Sequence, residues 1–277
     1  RAAHAMAYDG TRGKVVLFGG YSDEGYFGDT WEWDGTTWTQ IATTGPYMRR
    51  SHAMVYDPVR KKVLLFGGKT PGGRIGDTWE WNGSEWSELT TTGPEMRSSP
   101  AMAFDVARGK VLLFGGYDGG KTYFGDTWQW DGEQWTQVAT TGPAGRSQCA
   151  MAYDSAREKM VLFGGGDGEN FLGDTWEWDG VEWKEVATTG PSPRRSHAMV
   201  YDPIRGKVVL YGATNGSGDH GETWEWDGVA WKQVSATGPQ SRGWPAMVYD
   251  QERQVAVLFG GNAEGTNLGD TDRKSVV

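Results

Sequence analysis

Residues 4–49, HAMAYDGTRGKVVLFGGYSDEGYFGDTWEWDGTTWTQIATTGPYMR, decide the fold, because the chain repeats them with small changes. The Ala-Met pair recurs at Met6, Met54, Met102, Met151, Met199 and Met247, at intervals of 48, 48, 49, 48 and 48 residues. Each unit opens on Arg and a short apolar run (HAMAYD, HAMVYD, PAMAFD, CAMAYD) and turns at an Asp and an Arg. A second apolar run follows, ending in glycines, as in Lys14 to Gly20. After a variable loop come GDTW, a WxWDG run and a last Trp (Trp31, Trp33 and Trp38), and the unit closes on TGPxxR. The apolar runs are too short for helices and rich in β-branched and aromatic residues, so they read as strands A and B. TWEWDG alternates, with both Trp on one face, and its DG turn leads into a last strand, giving strands C and D. No apolar 3.6-residue period persists. Four antiparallel strands in about 48 residues make one blade of an all-β propeller.

Composition agrees and excludes. Glycine is abundant (43 residues) and so is Trp (16), which suits tight turns between aromatic-rich strands. A net charge of −9 argues against nucleic acid as a partner, since that grip rests on neutralising phosphates. One cysteine, Cys149, excludes a disulfide framework and a multi-cysteine zinc site. No apolar run is long enough for a membrane span.

The glycine doublets (Gly19-Gly20, Gly67-Gly68, Gly115-Gly116, Gly164-Gly165, Gly260-Gly261), the strand D Trp and the Arg-x-x-His opening resemble the kelch repeat. That resemblance runs from Arg1 to Thr271 and implies a six-bladed kelch-type propeller of four-stranded antiparallel blades, strand A lining the channel and strand D outermost. The blades span 1–48, 49–96, 97–145, 146–193, 194–241 and, in part, 242–271 of one domain. The sixth is expected to hold strands A and B only. Residues 272–277, DRKSVV, stand where TWEWDG is due and read as a non-repeat tail, and the unpaired edge implies that the native chain is longer or that its end was replaced.

What every blade shares serves the blade. Fifteen of the sixteen Trp occupy the three blade positions and read as packing between blades rather than sugar platforms. The doublets follow strands and open no helix, so they are turns and close approaches, not a phosphate cradle. Asp and Arg of the A–B turn, as in Asp57 and Arg60, cap and pair across a solvated turn. The Asp of GDTW (Asp29, Asp77, Asp126, Asp174, Asp270, with Glu222 in blade five) recurs too regularly for catalysis. Ser217 to Trp224 fits the S-x-D-x-G-x-T-W Asp-box of sialidase propellers, but half of that fit is the chain's own GDTW.

In an up-and-down blade the B–C loops and D–A connections share a face. Arg1, Arg49, Arg97, Arg146, Arg194 and Arg242 come there just before strand A, with Arg50 and Arg195 beside two of them. A ring of guanidinium groups suits carboxylates of a peptide or an acidic sugar, and kelch propellers that read acidic peptides use arginines from equivalent connections. The alternative is that each Arg bonds the carbonyls of its own loop. Replacing Arg97 and Arg146 with Ala is expected to weaken an acidic partner without lowering stability. The B–C loops vary, and Tyr26, Tyr123, Phe124, Asp167, Asn170 and His220 carry their contact chemistry. Trp244, the one Trp outside the blade pattern, stands at the mouth to stack on a ligand or to fill the incomplete blade. His4, His52 and His197 share one slot in blades far apart round the ring, so no metal site is expected. Nor is the Cys–Tyr copper centre of the oxidase branch readable around Cys149. The leading reading is therefore a non-enzymatic binding propeller without a cofactor, its partner a protein or peptide segment or an acidic ligand. A carbohydrate-active propeller, lectin-like or a sugar oxidase or epimerase using Asp23, Glu24, Asp167, Glu169 or Asp219, is the alternative; a third is an architectural spacer. Acidic charge, the lone Cys and the bacterial look of TWEWDG point to a secreted or envelope protein.

Overall fold

Five of the six repeats close into four-stranded antiparallel meanders whose order in space is their order in sequence. The computed structural model describes residues 1–89, 92–215, 218–236 and 238–274, the Lys274 side chain excepted. In blade one the strands are A (Ala5–Asp9), B (Lys14–Phe18), C (Thr30–Trp33) and D (Trp38–Ala42). Blade two lengthens B and C to Lys62–Thr70 and Gly73–Trp81, so that they run out as a hairpin beyond the sheet. Strand A of each blade lies against that of the next, and blade six returns to blade one. The fold is thus an all-β, six-bladed propeller.

Side chains explain the radial packing. Strand B is buried on both faces, as in Val63 to Phe66, because each face meets a neighbouring blade. Apolar clusters fill the five interfaces from blade six round to blade five, for example Ala5, Val16, Phe18, Met54, Leu65 and Trp86 between blades one and two. Between blades five and six the cluster shrinks to Val200, Val209 and Ala256. The strand D Trp joins one blade to the one before. Trp135 sets its ring edge-on to Phe66 at 5.5 Å and donates its indole N–H to Thr78 Oγ1 at 3.0 Å. Its own sheet braces it through Trp130, 5.5 Å away and tilted. The doublets do what their conformation demands: Gly19 and Gly20 have φ of 65° and 95°, and a Cβ on either would fall 2.6–2.9 Å from the Arg49 or Ala2 carbonyl oxygen.

Two expectations change. Blade six holds three strands, Ala246–Asp250, Val255–Phe259 and Thr271–Lys274, rather than two. The third pairs by main chain in the register of its counterparts, Thr271 opposite Phe259, although Thr-Asp-Arg-Lys lacks their apolar alternation. Arg273 anchors it, donating to the Gly35 carbonyl at 2.8 Å and lying over the Trp33 ring. Residues 275–277 of the expected tail lie outside the described residues. The A–B turn aspartates are also not solvated: Asp57 is 3% exposed, accepting from the Val59 and Arg60 amides and the Arg60 guanidinium.

Trp135→Ala should cost about 3–5 kcal/mol in urea denaturation. Trp135→Phe, which keeps an aromatic ring and loses the bond to Thr78, should cost clearly less.

Candidate binding face at the channel mouth

The three residues that open each strand A organise the face, and each has a different task. The first is the arginine of TGPxxR, and it is buried. Arg49, Arg97, Arg146, Arg194 and Arg242 are at most 1% exposed. Arg49 donates from Nε to the Tyr47 carbonyl (2.9 Å) and from NH1 to the Gly67 carbonyl (3.0 Å). It grips Asp77 with two further bonds of 2.6 and 2.8 Å. The Trp79 indole donates to the same carboxylate at 2.7 Å. Arg1–Asp29, Arg97–Asp126, Arg146–Asp174 and Arg242–Asp270 repeat this grip at 2.6–3.0 Å. Each arginine thus ties the start of strand A to the end of B and the start of C. For Asp126 and Asp174, burial pushes the carboxyl upward, yet the guanidinium's bonds and charge and the indole N–H together more than offset it, and the net shift is downward. In blade five Glu222 takes Arg194 through one oxygen only, and burial lowers the Arg194 pKa.

The second residue bridges to the first residue of its own B–C loop, giving the pairs Ala2–Tyr21, Arg50–Lys69, Ser98–Tyr117, Ser147–Gly166, Arg195–Thr214 and Gly243–Asn262. Here the blades cease to be alike. The third residue (Ala3, Ser51, Ser99, Gln148, Ser196, Trp244) has φ between 50° and 59° in every blade, although none is glycine. Its amide donates to the carbonyl of the same position one blade back, at 2.6–3.3 Å, and the six bonds close a ring around the channel. Left-handed backbone at six non-glycine residues is costly, and the ring holds it.

Above that ring a cavity of about 260 Å³ is lined by Arg50, Ser51, Lys69, Arg74, Ser98, Ser99, Tyr117, Tyr123, Ser147, Gln148, Arg195 and Trp244. Four cations line it and no carboxylate does. None of the four closes an ion pair among the described residues. Aromatic rings hold the three arginines instead: Arg50 lies over Tyr21 (4.5 Å), Arg74 over Tyr117 (4.8 Å) and Arg195 over Phe171 (5.1 Å). Arg74 Nε also donates to Ser98 Oγ at 3.3 Å. Tyr117 and Tyr123 stack at 4.6 Å. The Nε atoms of Arg50 and Arg195 are buried without a partner.

Of the residues nominated from sequence, Tyr123 and Trp244 line this cavity, and Tyr26 backs it beneath Arg50 (5.4 Å). The six ring arginines do not: their donors are spent on Asp, Glu and carbonyls, as the alternative reading had it in part. Phe124 lies beneath the Arg97 guanidinium at 3.8 Å. Asn170 caps its own loop on Asp167, and His220 faces Glu222 at 3.3 Å. Among the loop acids, Asp167 accepts the Glu169 and Asn170 amides, Asp219 the Glu264 amide and Asp23 the Asn267 side chain. Ser217 of the Asp-box-like run lies outside the described residues. Sequence reasoning missed Lys69, Arg74 and Tyr117; the signal was a B–C loop carrying two cations in one of the two blades that add an Arg after the TGPxxR arginine.

The histidine slot lies below the ring. His4, His52 and His197 pack edge-on against Phe259, Phe18 and Phe163 at 5.4–5.5 Å. Burial, reinforced by the neighbouring arginine, brings His52 and His197 down to about 3. Cys149, in the same slot, is pushed up to about 12 by burial. Among the described residues no group of three His, Cys, Asp or Glu could hold a metal ion. The opposite end of the channel is a funnel of about 480 Å³ lined by the six Ala-Met methionines and the strand A tyrosines. Those tyrosines are tied to the turn of the blade before, as Tyr153 Oη is by the Ala107 amide at 3.1 Å.

The family model described as the KLHDC2/KLHL20/DRC7 Kelch-repeats domain matches residues 1–143 and 129–273. A solved structure described as "Structure of YjhT" is similar over 98% of this chain and 93% of that one, at 15% identity and a TM-score of 0.77, a likeness of fold. Among curated proteins none matches significantly.

Arg97→Ala should lower stability by about 3–5 kcal/mol, because it strands Asp126, whereas Arg50→Ala should change it by less than about 1 kcal/mol; urea curves for both report this. Acid should also weaken the fold. A histidine held neutral well below its usual pKa of 6.5 takes up its proton only on unfolding, so stability is full above that value and falls by about 1.4 kcal/mol per pH unit per histidine below it. His52→Cys, with the residue blade four carries in this slot, should remove about that slope between pH 6 and 4.

Proposed function

Because the chain belongs to the kelch-repeat family, whose propellers commonly serve as protein-interaction scaffolds, we propose that it is a binding module whose mouth cavity takes an acidic segment of a partner protein. The supporting observation is the convergence of Arg50, Lys69, Arg74 and Arg195 on one cavity without a lining carboxylate, in a chain of net charge −9. A positive site on an acidic surface attracts carboxylates locally while the rest of the molecule repels them. The guanidinium groups of Arg50 and Arg195, which line the cavity, supply donors, and the stacked tyrosines with Trp244 supply apolar walls. The arginine-lined face is thus made by the second residue of each opening and the B–C loops rather than by the buried ring arginines. Trp244 and Tyr123 also favour a second reading, in which the carboxylate belongs to an acidic sugar stacked on these rings.

Labelled peptides rich in Asp and Glu should bind, and their Asn/Gln counterparts should not, in fluorescence anisotropy. Arg50→Ala or Arg195→Ala should weaken binding about tenfold, the loss expected for one charge-assisted bond, and added salt should weaken it further. Equal binding of acidic and neutral peptides, or unaltered affinity in both variants, refutes the proposal. Binding confined to acidic glycans selects the sugar.

A further inference from the structure

The funnel at the far end of the channel encloses about 480 Å³, within the roughly 300–1,000 Å³ usual for small-molecule sites, and its chemistry is the reverse of the mouth's. Among the described residues no charged side chain lines it. Every strand A contributes one methionine and one aromatic ring, the rings being Tyr8, Tyr56, Phe104, Tyr153, Tyr201 and Tyr249. Four of the tyrosine hydroxyls are already spent on the turn of the preceding blade. Those of Tyr8, Tyr153 and Tyr201 accept from the Glu252, Ala107 and Ala156 amides at 3.1–3.3 Å, and that of Tyr56 bonds Thr11 Oγ1. Burial raises the pKa of all four, so the phenols stay neutral. An ion entering the funnel would lose its water and meet no countercharge.

Three features narrow what an occupant must be. The six Ala-Met methionines surround the axis, and thioether sulfur favours the edge of an aromatic ring. A flat ring system lying across the channel presents that edge to methionines on every side, and their unbranched side chains adapt to its outline. The lip is polar at blades one and six, where Thr11 and Gln251 stand, and apolar at blades two and three, where Pro58 and Val106 do. Val106 is 58% exposed and Val59, next to Pro58, is 64% exposed, so apolar surface stands uncovered at this entrance. Each strand A also pairs on one side only, with its own strand B. Its other edge leaves main-chain donors and acceptors along the channel for an uncharged hydroxyl or amine.

We propose that the funnel binds a small, uncharged aromatic molecule of two or three fused rings. The molecule enters over the lip formed by Pro58 and Val106 and lies across the ring of methionines, its polar substituent bonded to a free strand A edge. The site is independent of the cationic mouth and of the partner protein proposed for it.

The test is 2-naphthol, uncharged at pH 7, titrated into protein carrying ¹³C-methyl methionine and followed by NMR. The chain has nine methionines and six of them line the funnel, so Met48, Met96 and Met160 are internal controls. Saturable shifts are expected for the funnel methionines and not for the controls. 2-Naphthoate, a carboxylate of similar shape, should bind about tenfold more weakly or less. Val106→Asp should weaken 2-naphthol several-fold. Val181→Asp, on a C–D turn of the same face but outside the funnel, should leave binding unchanged. Both valines are exposed, so urea midpoints should stay as they are in both variants. Absence of a saturable shift up to the solubility limit, equal shifts of Met48 and Met96, or equal binding of 2-naphthoate overturns the proposal. So does a Val181→Asp protein that loses binding as Val106→Asp does, since adsorption to exposed valines then accounts for it.

Discussion

A buried guanidinium that meets a carboxylate at the crossing of strands A, B and C is the interaction on which the rest of the molecule depends. Placing an ion pair in the interior is costly, and only bidentate geometry with further hydrogen bonds repays it. Arg49 meets those terms, with two bonds to Asp77 and others to the Tyr47 and Gly67 carbonyls. The pair therefore tolerates one geometry, and so fixes where the D–A connection enters the mouth. The next residue is set against the B–C loop, and the one after is forced into the left-handed ring. Three consecutive residues thus divide the labour of a connection into anchoring, display and closure.

Recognition chemistry follows from that division. The anchoring residue and the backbone of the closing residue must be nearly the same in all blades, because each is bonded to its neighbour or to its own sheet. The display position, the closing side chain and the loop beside them are free to differ. Blades two and five use that freedom for Arg50 and Arg195, and blade two adds Lys69 and Arg74 on its extended hairpin. The result is a single positive quadrant on a symmetric, acidic frame. Aromatic faces beneath the guanidinium groups hold them in place without neutralising them.

The repeat period, the strand lengths and the DG turns were enough to read the propeller from sequence, because each reports a local constraint on the backbone. The ring arginines were not legible in the same way. Their carboxylate partners lie 28 or 29 residues away, across strands A and B, and no local pattern joins Arg97 to Asp126. The rule that a residue present in every blade serves the blade, applied to Trp, Gly and the GDTW Asp, also covers the arginines. Their charge alone suggested an exception. Conversely, Tyr117 and Arg74 come from different blades and meet only because the loops of adjacent blades lean together at the mouth. The third strand of blade six escaped notice because Thr-Asp-Arg-Lys carries no apolar alternation, and main-chain pairing leaves no mark in side-chain pattern.

Departures from the repeat gather in one sector, and they share a physical consequence. Glu222 is one methylene longer than the Asp of the other blades, and Arg194 holds it by one oxygen rather than two. The Trp224 indole, which in other blades donates to that Asp, is buried without a partner. Tyr211 stands where five blades have Phe and turns its hydroxyl to the Pro239 carbonyl at 2.7 Å. The apolar cluster beyond it is the smallest of the six. The first two changes loosen blade five itself and the small cluster thins its interface with blade six, while the ring bond from Trp244 to Ser196 stays at 2.9 Å. Local opening is cheapest where buried contacts are fewest, so this sector is the part of the closed ring that yields first. Arg195 sits on its rim, where any loosening of the interface moves the positive quadrant at the channel mouth.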